Sequence, residues 1–328
     1  MQIEGKPDPG GTDRRVPLLP VLICAILSVI MMHSGLFSFF FLAPLGYIAL
    51  AHTQAAWFTF GLAAVTNGLF SLFFVFLYRA GSGGLWGDIL FFSALSFGFV
   101  WIMSGGREGR ILRVRTAYRF IIAAILGAFA FLLIILESRN SSDFAALLKE
   151  QAEFLSSIIT MPPEKMLEAF KYIALRGGAL FSFIFLFFVN RQLSISAAWL
   201  LKKRRTGQNL LSYHAPGNSI WFLSFSLAAI LLARMAKLEI PEIAAWNVLV
   251  VCAILFLAQG AGIVLFTLAR RTVPPALRLI FNVLIIIVIF SPGINTIALV
   301  ALMLLGIAEN WLPFRAPKQD GPASTPGL

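Results

Sequence analysis

The chain has 328 residues, of which 59% are hydrophobic and only 12% are charged, and its net charge is +11. Soluble domains carry about 25% charged residues, so the composition excludes an ordinary soluble domain and argues against disorder, a disulfide scaffold and a nucleic-acid surface. The apolar residues form long blocks near or above the ~20 residues that cross a bilayer as helix. The predicted fold class is therefore all-α, a polytopic helical membrane protein whose first partner is the lipid bilayer.

The first apolar block covers residues 17–51 and carries no formal charge. As one helix it would measure roughly 52 Å, too long for a single crossing of a ~30 Å core. A His-Ser-Gly sequence at 33–35 interrupts it, so we expect two helices at about 17–32 and 35–51, with Pro44 kinking the second. Whether the block crosses twice or re-enters stays open.

The remaining apolar blocks predict eight further spans. They lie at about 55–78, 85–103, 118–136, 177–200, 218–236, 243–269, 276–290 and 294–310. The last two come from one block split at a Ser-Pro-Gly sequence, and this pair either crosses twice or re-enters. The total is thus eight to ten transmembrane helices.

The predicted organisation has five parts. They are a flexible cytoplasmic tail at 1–16, about five N-terminal membrane helices at 17–136, an amphipathic excursion at 137–172, about five C-terminal membrane helices at 173–311, and a flexible tail at 312–328. The excursion is the acidic part of the chain. We expect Ser142 to cap a first helix there, and a second short helix should begin at the Pro-Pro-Glu sequence of 162–164.

The basic residues predict the topology. Lys and Arg are concentrated at 107–119, 202–205 and 270–271, and such clusters are typical of cytoplasmic loops. We therefore expect a multi-pass protein of the bacterial inner membrane with both termini in the cytoplasm and the 137–172 excursion on the outer surface.

No catalytic signature is present in the sequence, which lacks the HExxH, GxSxG and Walker patterns. Cys24 and Cys252 both lie inside apolar blocks, where cysteine behaves as a small hydrophobic residue. We predict no enzyme activity, no cofactor and no metal site.

A first group of polar residues lies near the predicted outer ends of several spans. It comprises Asp88, Arg176, Arg234 and Glu242, and the deeper Asn247 is added to the candidate pocket that they form. Charges near a membrane core usually pair or serve a site. One hypothesis is an outward-facing ligand pocket covered by the 137–172 excursion, and the alternative is that these side chains extend to the membrane surface.

A second group lies deeper inside the predicted spans. It comprises Asn67, Asn190, Arg191, Asn247, Gln259 and Asn282. Amides in membrane helices often bond neighbouring helices. Arg191 leaves two interpretations: it faces an acidic partner or a ligand, or the membrane helix ends there and an interfacial helix follows. The small residues beside Gln259 favour close helix contact.

The C-terminal part of the chain resembles a known family. The similarity rests on short motifs: Asn247-Val248-Leu249, the 255–260 sequence, the 304–308 sequence, Phe314-Arg315, and the 200–205 sequence followed by Pro216 and Trp221. These look like the YybS-like predicted membrane proteins, over about 190–316. Glu309 departs from the pattern, because an Asp is expected shortly after the 304–308 motif.

The YybS-like family is a bacterial domain of unknown function, grouped loosely with the substrate-binding membrane components of energy-coupling-factor uptake transporters. The resemblance implies partners, namely an ATPase pair and a membrane coupling subunit, and it provides no catalytic or ligand residue. The expected function is a substrate-binding component for a small solute or vitamin. The alternative is a membrane anchor that recruits a soluble partner through its cytoplasmic basic loops.

Overall fold

The computed structural model describes residues 18–34, 37–51, 56–77, 85–103, 116–138, 162–202, 213–270, 294–312 and 314–315, together with five single residues between 146 and 156. All regular secondary structure in these residues is helical. The α-helices are α1 Leu18–His33, α2 Ala43–Ala51, α3 Ala56–Leu77, α4 Leu85–Met103, α5 Thr116–Ser138, α6 Pro163–Ile173, α7 Ala179–Lys202, α8 Ser219–Met235, α9 Glu239–Arg270 and α10 Ile294–Ala308. A 3₁₀ turn, Ser38–Phe40, precedes α2, and a π-helical segment, Ala174–Gly178, joins α6 to α7.

The predicted fold class is confirmed, because the protein is all-helical and has helices able to span a membrane. Three of the described helical stretches are long and apolar enough to cross one, namely Ala117–Ile135, Pro163–Ala198 and Glu239–Leu268. Six further apolar helices are shorter. The number of passes remains a prediction.

Large apolar side chains cover the outside of these helices, as a lipid environment requires. On α8 the exposed ones include Trp221, Phe222, Phe225, Leu231 and Leu232. Soluble monomers rarely expose contiguous apolar patches of this extent. The surface therefore agrees with the composition in placing the chain in a membrane.

The predicted span at 276–290 lies outside the described residues. Most of the other predicted boundaries agree with the structure, but the second helix does not. It was expected over 35–51, whereas α2 begins only at Ala43 and is nine residues long, or about 14 Å. Pro44 is its second residue, in the first turn where proline is tolerated. Pro44 therefore starts this helix and does not kink it.

The segment between α1 and α2 doubles back on α1. The hydroxyl of Ser28 donates to the carbonyl oxygen of Phe41, thirteen residues later. A continuous rod would separate these residues by roughly 20 Å, so the contact requires a hairpin. The block therefore forms a hairpin with its own first helix, and α2 alone is shorter than the thickness of a ~30 Å core.

Side chains of α7 donate hydrogen bonds to backbone carbonyls of this hairpin, one in the 3₁₀ turn and one at the first residue of α2. Asn190 Nδ2 donates to the Phe39 carbonyl at 2.9 Å, and Ser194 Oγ donates to the Ala43 carbonyl at 3.0 Å. Two polar residues of α7 thus hold the hairpin against this helix.

Contacts divide the chain into two compact units. The N-terminal unit contains 1–138 and 186–206, and the C-terminal unit contains 139–185 and 207–328. In the N-terminal unit an aromatic cluster lies between α3, α4 and the hairpin, where the rings of Phe70 and Phe92 stack at 5.3 Å and Phe41 meets both edge to face.

The C-terminal unit is organised around the long helix α9, which contacts α8, α10 and the π-helical segment. Leu223, Cys252 and Phe256 form its apolar core. A Cβ on Gly260 would meet the backbone of α10 at Leu302 and Gly306. The predicted close contact beside Gln259 is confirmed at Gly260, because only glycine allows the two backbones to approach so closely.

A tight turn reverses the chain between α8 and α9. Lys237 adopts a left-handed conformation with φ of 54°, and the amide of Leu238 donates to the Ala233 carbonyl at 2.8 Å. These are features of a helix-terminating turn. The turn brings the last residues of α8 against the first residues of α9, where the charged groups described next are found.

Candidate ligand-binding site

The backbone leaves helical geometry where α6 passes into α7. Arg176 has φ and ψ of −92° and 36°, and Gly177 has φ of +103°. The left-handed region is readily available only to glycine. Single-turn π segments inside helices are frequent at functional sites, and this one begins a polar region of the C-terminal unit.

Packing as well as conformation requires glycine at this break. A Cβ on Gly177 would lie 2.5 Å from Cγ2 of Val250, on α9. A Cβ on Gly178 would lie 2.7 Å from the carbonyl oxygen of Ile173. The Gly-Gly pair therefore lets the broken helix lie directly on α9 and fixes the position from which the Arg176 side chain extends.

The guanidinium group of Arg176 is nearly buried between an aromatic ring and two carboxylates. Its Cζ lies 3.8 Å from the centroid of the Tyr172 ring, a cation–π contact. Its Nε lies 3.5 Å from Glu242 Oε1, and its Nη2 lies 3.9 Å from Glu239 Oε1. The Arg176 side chain is 11% exposed, and among the described residues its buried Nε has no hydrogen-bond partner.

Glu242 is the acceptor at the centre of this region. Its Oε1 accepts hydrogen bonds from Arg234 Nε at 3.1 Å and from Trp246 Nε1 at 3.4 Å. The Glu242 side chain is 13% exposed and that of Arg234 is 53% exposed. One carboxylate oxygen is therefore shared by two guanidinium groups and an indole.

A second bond of Arg234 closes a ring of contacts. Its Nη2 donates to the Tyr172 hydroxyl at 3.2 Å, so Tyr172, Arg176, Glu242 and Arg234 each touch the next. We call these four side chains together with Trp246 the Arg176 site. It combines α6, the π-helical segment, α8 and α9.

The structure brings together three of the sequence-predicted pocket residues, Arg176, Arg234 and Glu242. Asn247 lies beside them, but its Nδ2 donates to the carbonyls of Leu175 at 2.7 Å and Ile243 at 2.8 Å. Its amide therefore satisfies the carbonyl freed by the break. Asp88 lies in the first turn of α4, in the other unit, and its side chain is outside the described residues.

Tyr172 and Trp246 were missed in the sequence. Both follow a simple spacing, since Tyr172 precedes Arg176 by four residues and Trp246 follows Glu242 by four residues. Residues four apart share a helix face. The sequence signal that could have identified them was an aromatic residue four positions from Arg176 and another four positions from Glu242.

The deeper polar residues have separate roles. Asn190 supports the hairpin, as described above, and Asn67 is half-buried on α3. Arg191 is half-buried on α7, which continues without interruption through it to Lys202. The structure thus has no helix end at Arg191, and no acidic partner for it among the described residues. Asn282 lies outside the described residues.

Gln259 belongs to a second polar cluster, at the far part of α9. Its Oε1 accepts from the Ala215 amide at 2.7 Å, and its Nε2 donates to Glu309 Oε2 at 2.9 Å. Arg315 pairs with the Glu309 carboxylate and donates to the Tyr213 carbonyl at 2.8 Å. These hydrogen bonds connect the residues just before α8 and just after α10 with α9.

The described residues contain no group of three or more His, Cys, Asp or Glu placed to hold a metal ion. Comparisons with family models, curated proteins and solved structures find no match for the chain. The resemblance to the YybS-like family therefore stays a prediction. The Arg176 site is the strongest candidate for a ligand site on its own geometry.

Proposed function

We propose that the chain is the substrate-binding membrane component of an uptake transporter for a small solute, and that the solute binds at the Arg176 site. The supporting observation is the near-burial of Arg176 and Glu242 in one ring of contacts at a helix break. Charges inside membrane proteins are costly and usually mark substrate paths. Discontinuous helices are a common way to build such sites.

The proposal includes a topology and partners. Both termini lie in the cytoplasm of a bacterial cell, and the Arg176 site faces the outer side of the inner membrane. Because the sequence has no Walker loop, the energy for uptake comes from an ATPase pair acting through a membrane coupling subunit. Cysteine-accessibility labelling of the tails and of Lys165→Cys from either side of the membrane tests the orientation.

The decisive experiment purifies the chain from its native membrane in mild detergent. Mass spectrometry identifies the co-purified proteins and the small molecules released on denaturation. We expect ATPase and coupling subunits, together with a solute that is present in the wild type and lost in Arg176→Gln. The matched control is Lys165→Gln, which removes one exposed positive charge from the neighbouring helix α6 and should retain the solute.

Recovery of a soluble protein without any ATPase or solute would contradict the proposal. If that protein were also lost on neutralising Lys202, Lys203, Arg204 and Arg205, the result would support the membrane-anchor function instead.

A further inference from the structure

We infer that the ligand of the Arg176 site carries a carboxylate group and that it competes with Glu242 for the two guanidinium groups. This inference rests on the proposed function and adds the substrate class. Three features of the site support it: the N–H donors around Glu242, the balance of charge between the guanidinium groups and the carboxylate, and the incomplete hydrogen bonding of Arg176.

The donors already fit a carboxylate. Three N–H groups, on Arg234, Trp246 and Arg176, lie 3.1, 3.4 and 3.5 Å from a single oxygen of Glu242. They come from three different elements, so their arrangement is a property of the packed C-terminal unit. Arginine recognises planar carboxylates through its fork of donors, and the group now held there shows that this geometry suits one.

The local charge favours one further negative charge. Arg176 and Arg234 share the largely buried Glu242, whereas Glu239 is 74% exposed and lies 3.9 Å from Arg176. Within the ring of contacts itself, two guanidinium groups face one carboxylate, and Glu239 lies outside that ring. A monocarboxylate offsets this difference, whereas a phosphate dianion would exceed it.

The bonding of Arg176 is incomplete in the same place. Its Nε is buried and lies 3.5 Å from Glu242 Oε1. This nitrogen forms no hydrogen bond with any described residue. A buried donor without a partner is destabilising, because it has lost its hydrogen bonds to water without replacing them. A ligand carboxylate that takes the place of the Glu242 oxygen can approach Arg176 more closely than a tethered side chain does.

Glu242 then acts as an internal competitor. It holds the donors in position while the site is empty, and it must give up part of its bonding when the ligand arrives. Replacing it with an uncharged residue of the same shape should therefore increase affinity for carboxylates. A role of Glu242 as a direct ligand contact, such as binding an amine, predicts the opposite.

The experiment uses purified full-length protein in detergent, with hexanoate as the probe and hexanamide as its neutral counterpart. Binding is measured by calorimetry for the wild type, Glu242→Gln, Arg234→Gln and the control Lys165→Gln. We expect Glu242→Gln to bind hexanoate about tenfold more tightly and Arg234→Gln about tenfold more weakly, since charge-assisted hydrogen bonds are worth that much or more. Because Arg234 is half-exposed, its variant tests the site without the folding risk of Arg176→Gln.

Equal binding of hexanoate and hexanamide, or unchanged or weaker hexanoate binding by Glu242→Gln, would overturn the inference. Tighter binding of methyl phosphate than of hexanoate would overturn it as well. The two proposals fail separately: a co-purified solute that is lost in Arg176→Gln but carries no carboxylate leaves the transporter function standing. Hexanoate binding with the expected variant effects, but without any co-purified ATPase, contradicts the transporter function and supports the ligand class.

Discussion

The side chains of Glu309 and Arg315 form an ion pair in which the carboxylate is 4% exposed and the guanidinium 5% exposed. Six residues separate them, and Arg315 lies beyond the end of α10, so the chain turns back to make the contact. Gln259 donates to the same carboxylate from α9. Nearly every polar atom of this pair is thus occupied by protein groups, which makes the pair sensitive to the loss of either member.

We expect Arg315→Leu to destabilise the protein by about 3–5 kcal/mol, because it leaves the Glu309 carboxylate buried and unpaired. The double variant Glu309→Gln with Arg315→Leu should recover most of this loss, since no buried charge remains. Thermal unfolding in detergent, followed by intrinsic tryptophan fluorescence, compares the two with Lys165→Gln as the surface control. Equal destabilisation in the single and double variants would contradict the expectation.

The same pair predicts a pH dependence. Burial acts to raise the pKa of Glu309, but the hydrogen bonds from Arg315 and Gln259 outweigh it and hold the pKa below its ordinary value of 4.5. Because the pKa is lower in the folded state, the stabilisation is present above the unfolded-state pKa and is lost as the pH falls through the folded-state pKa. Melting temperatures measured from roughly pH 3 to 6 should fall more steeply on the acid side for the wild type than for Glu309→Gln. Parallel curves would show that Glu309 does not carry this dependence.

Gly177→Ala should weaken both folding and ligand binding. The substitution places a Cβ at a φ of +103° and against Val250, and each effect costs about 1–2 kcal/mol. Relieving the clash moves Arg176 away from Glu242, so the co-purified solute should be lost along with stability. The control is Gly61→Ala on α3, where a Cβ meets nothing within 4 Å and should be neutral or stabilise by about 0.5–1 kcal/mol. A similar result for both variants would mean that the break does not need glycine.

Asn190→Leu tests the support of the hairpin. The variant removes the Asn190 donor to the Phe39 carbonyl, and the loss of one such hydrogen bond costs about 0.5–1.5 kcal/mol. Ser71→Ala is the matched control, because that hydroxyl only bonds the Asn67 carbonyl of its own helix. The difference between the two melting temperatures measures the tertiary bond, and no difference would mean that the hairpin holds without Asn190.

Several local features were readable from the sequence for identifiable reasons. The start of α6 at Pro162-Pro163-Glu164 was predicted correctly, because proline and an early acidic residue favour a helix start whatever surrounds it. The interruption of the first apolar block at residues 33–35 was also correct, since α1 ends at His33. The second helix was placed too early because residues 37–42 are as apolar as a helix, and the hydrogen bonds to the 3₁₀ turn and to the start of α2 come from α7, about 150 residues later.

The sequence by itself determined that this is an all-helical membrane protein, because apolar length and missing charge decide whether a segment enters a bilayer, whatever its neighbours are. It also identified Arg176, Arg234 and Glu242 as charged residues near a membrane core, where an unpaired charge costs free energy. Only the tertiary structure decided that these three meet, that two guanidinium groups share one carboxylate oxygen, and that Glu309 finds Arg315. Those contacts depend on a glycine break and a tight turn that bring distant helices together, and the free energy of a buried charge depends on its partner more than on its own position in the chain.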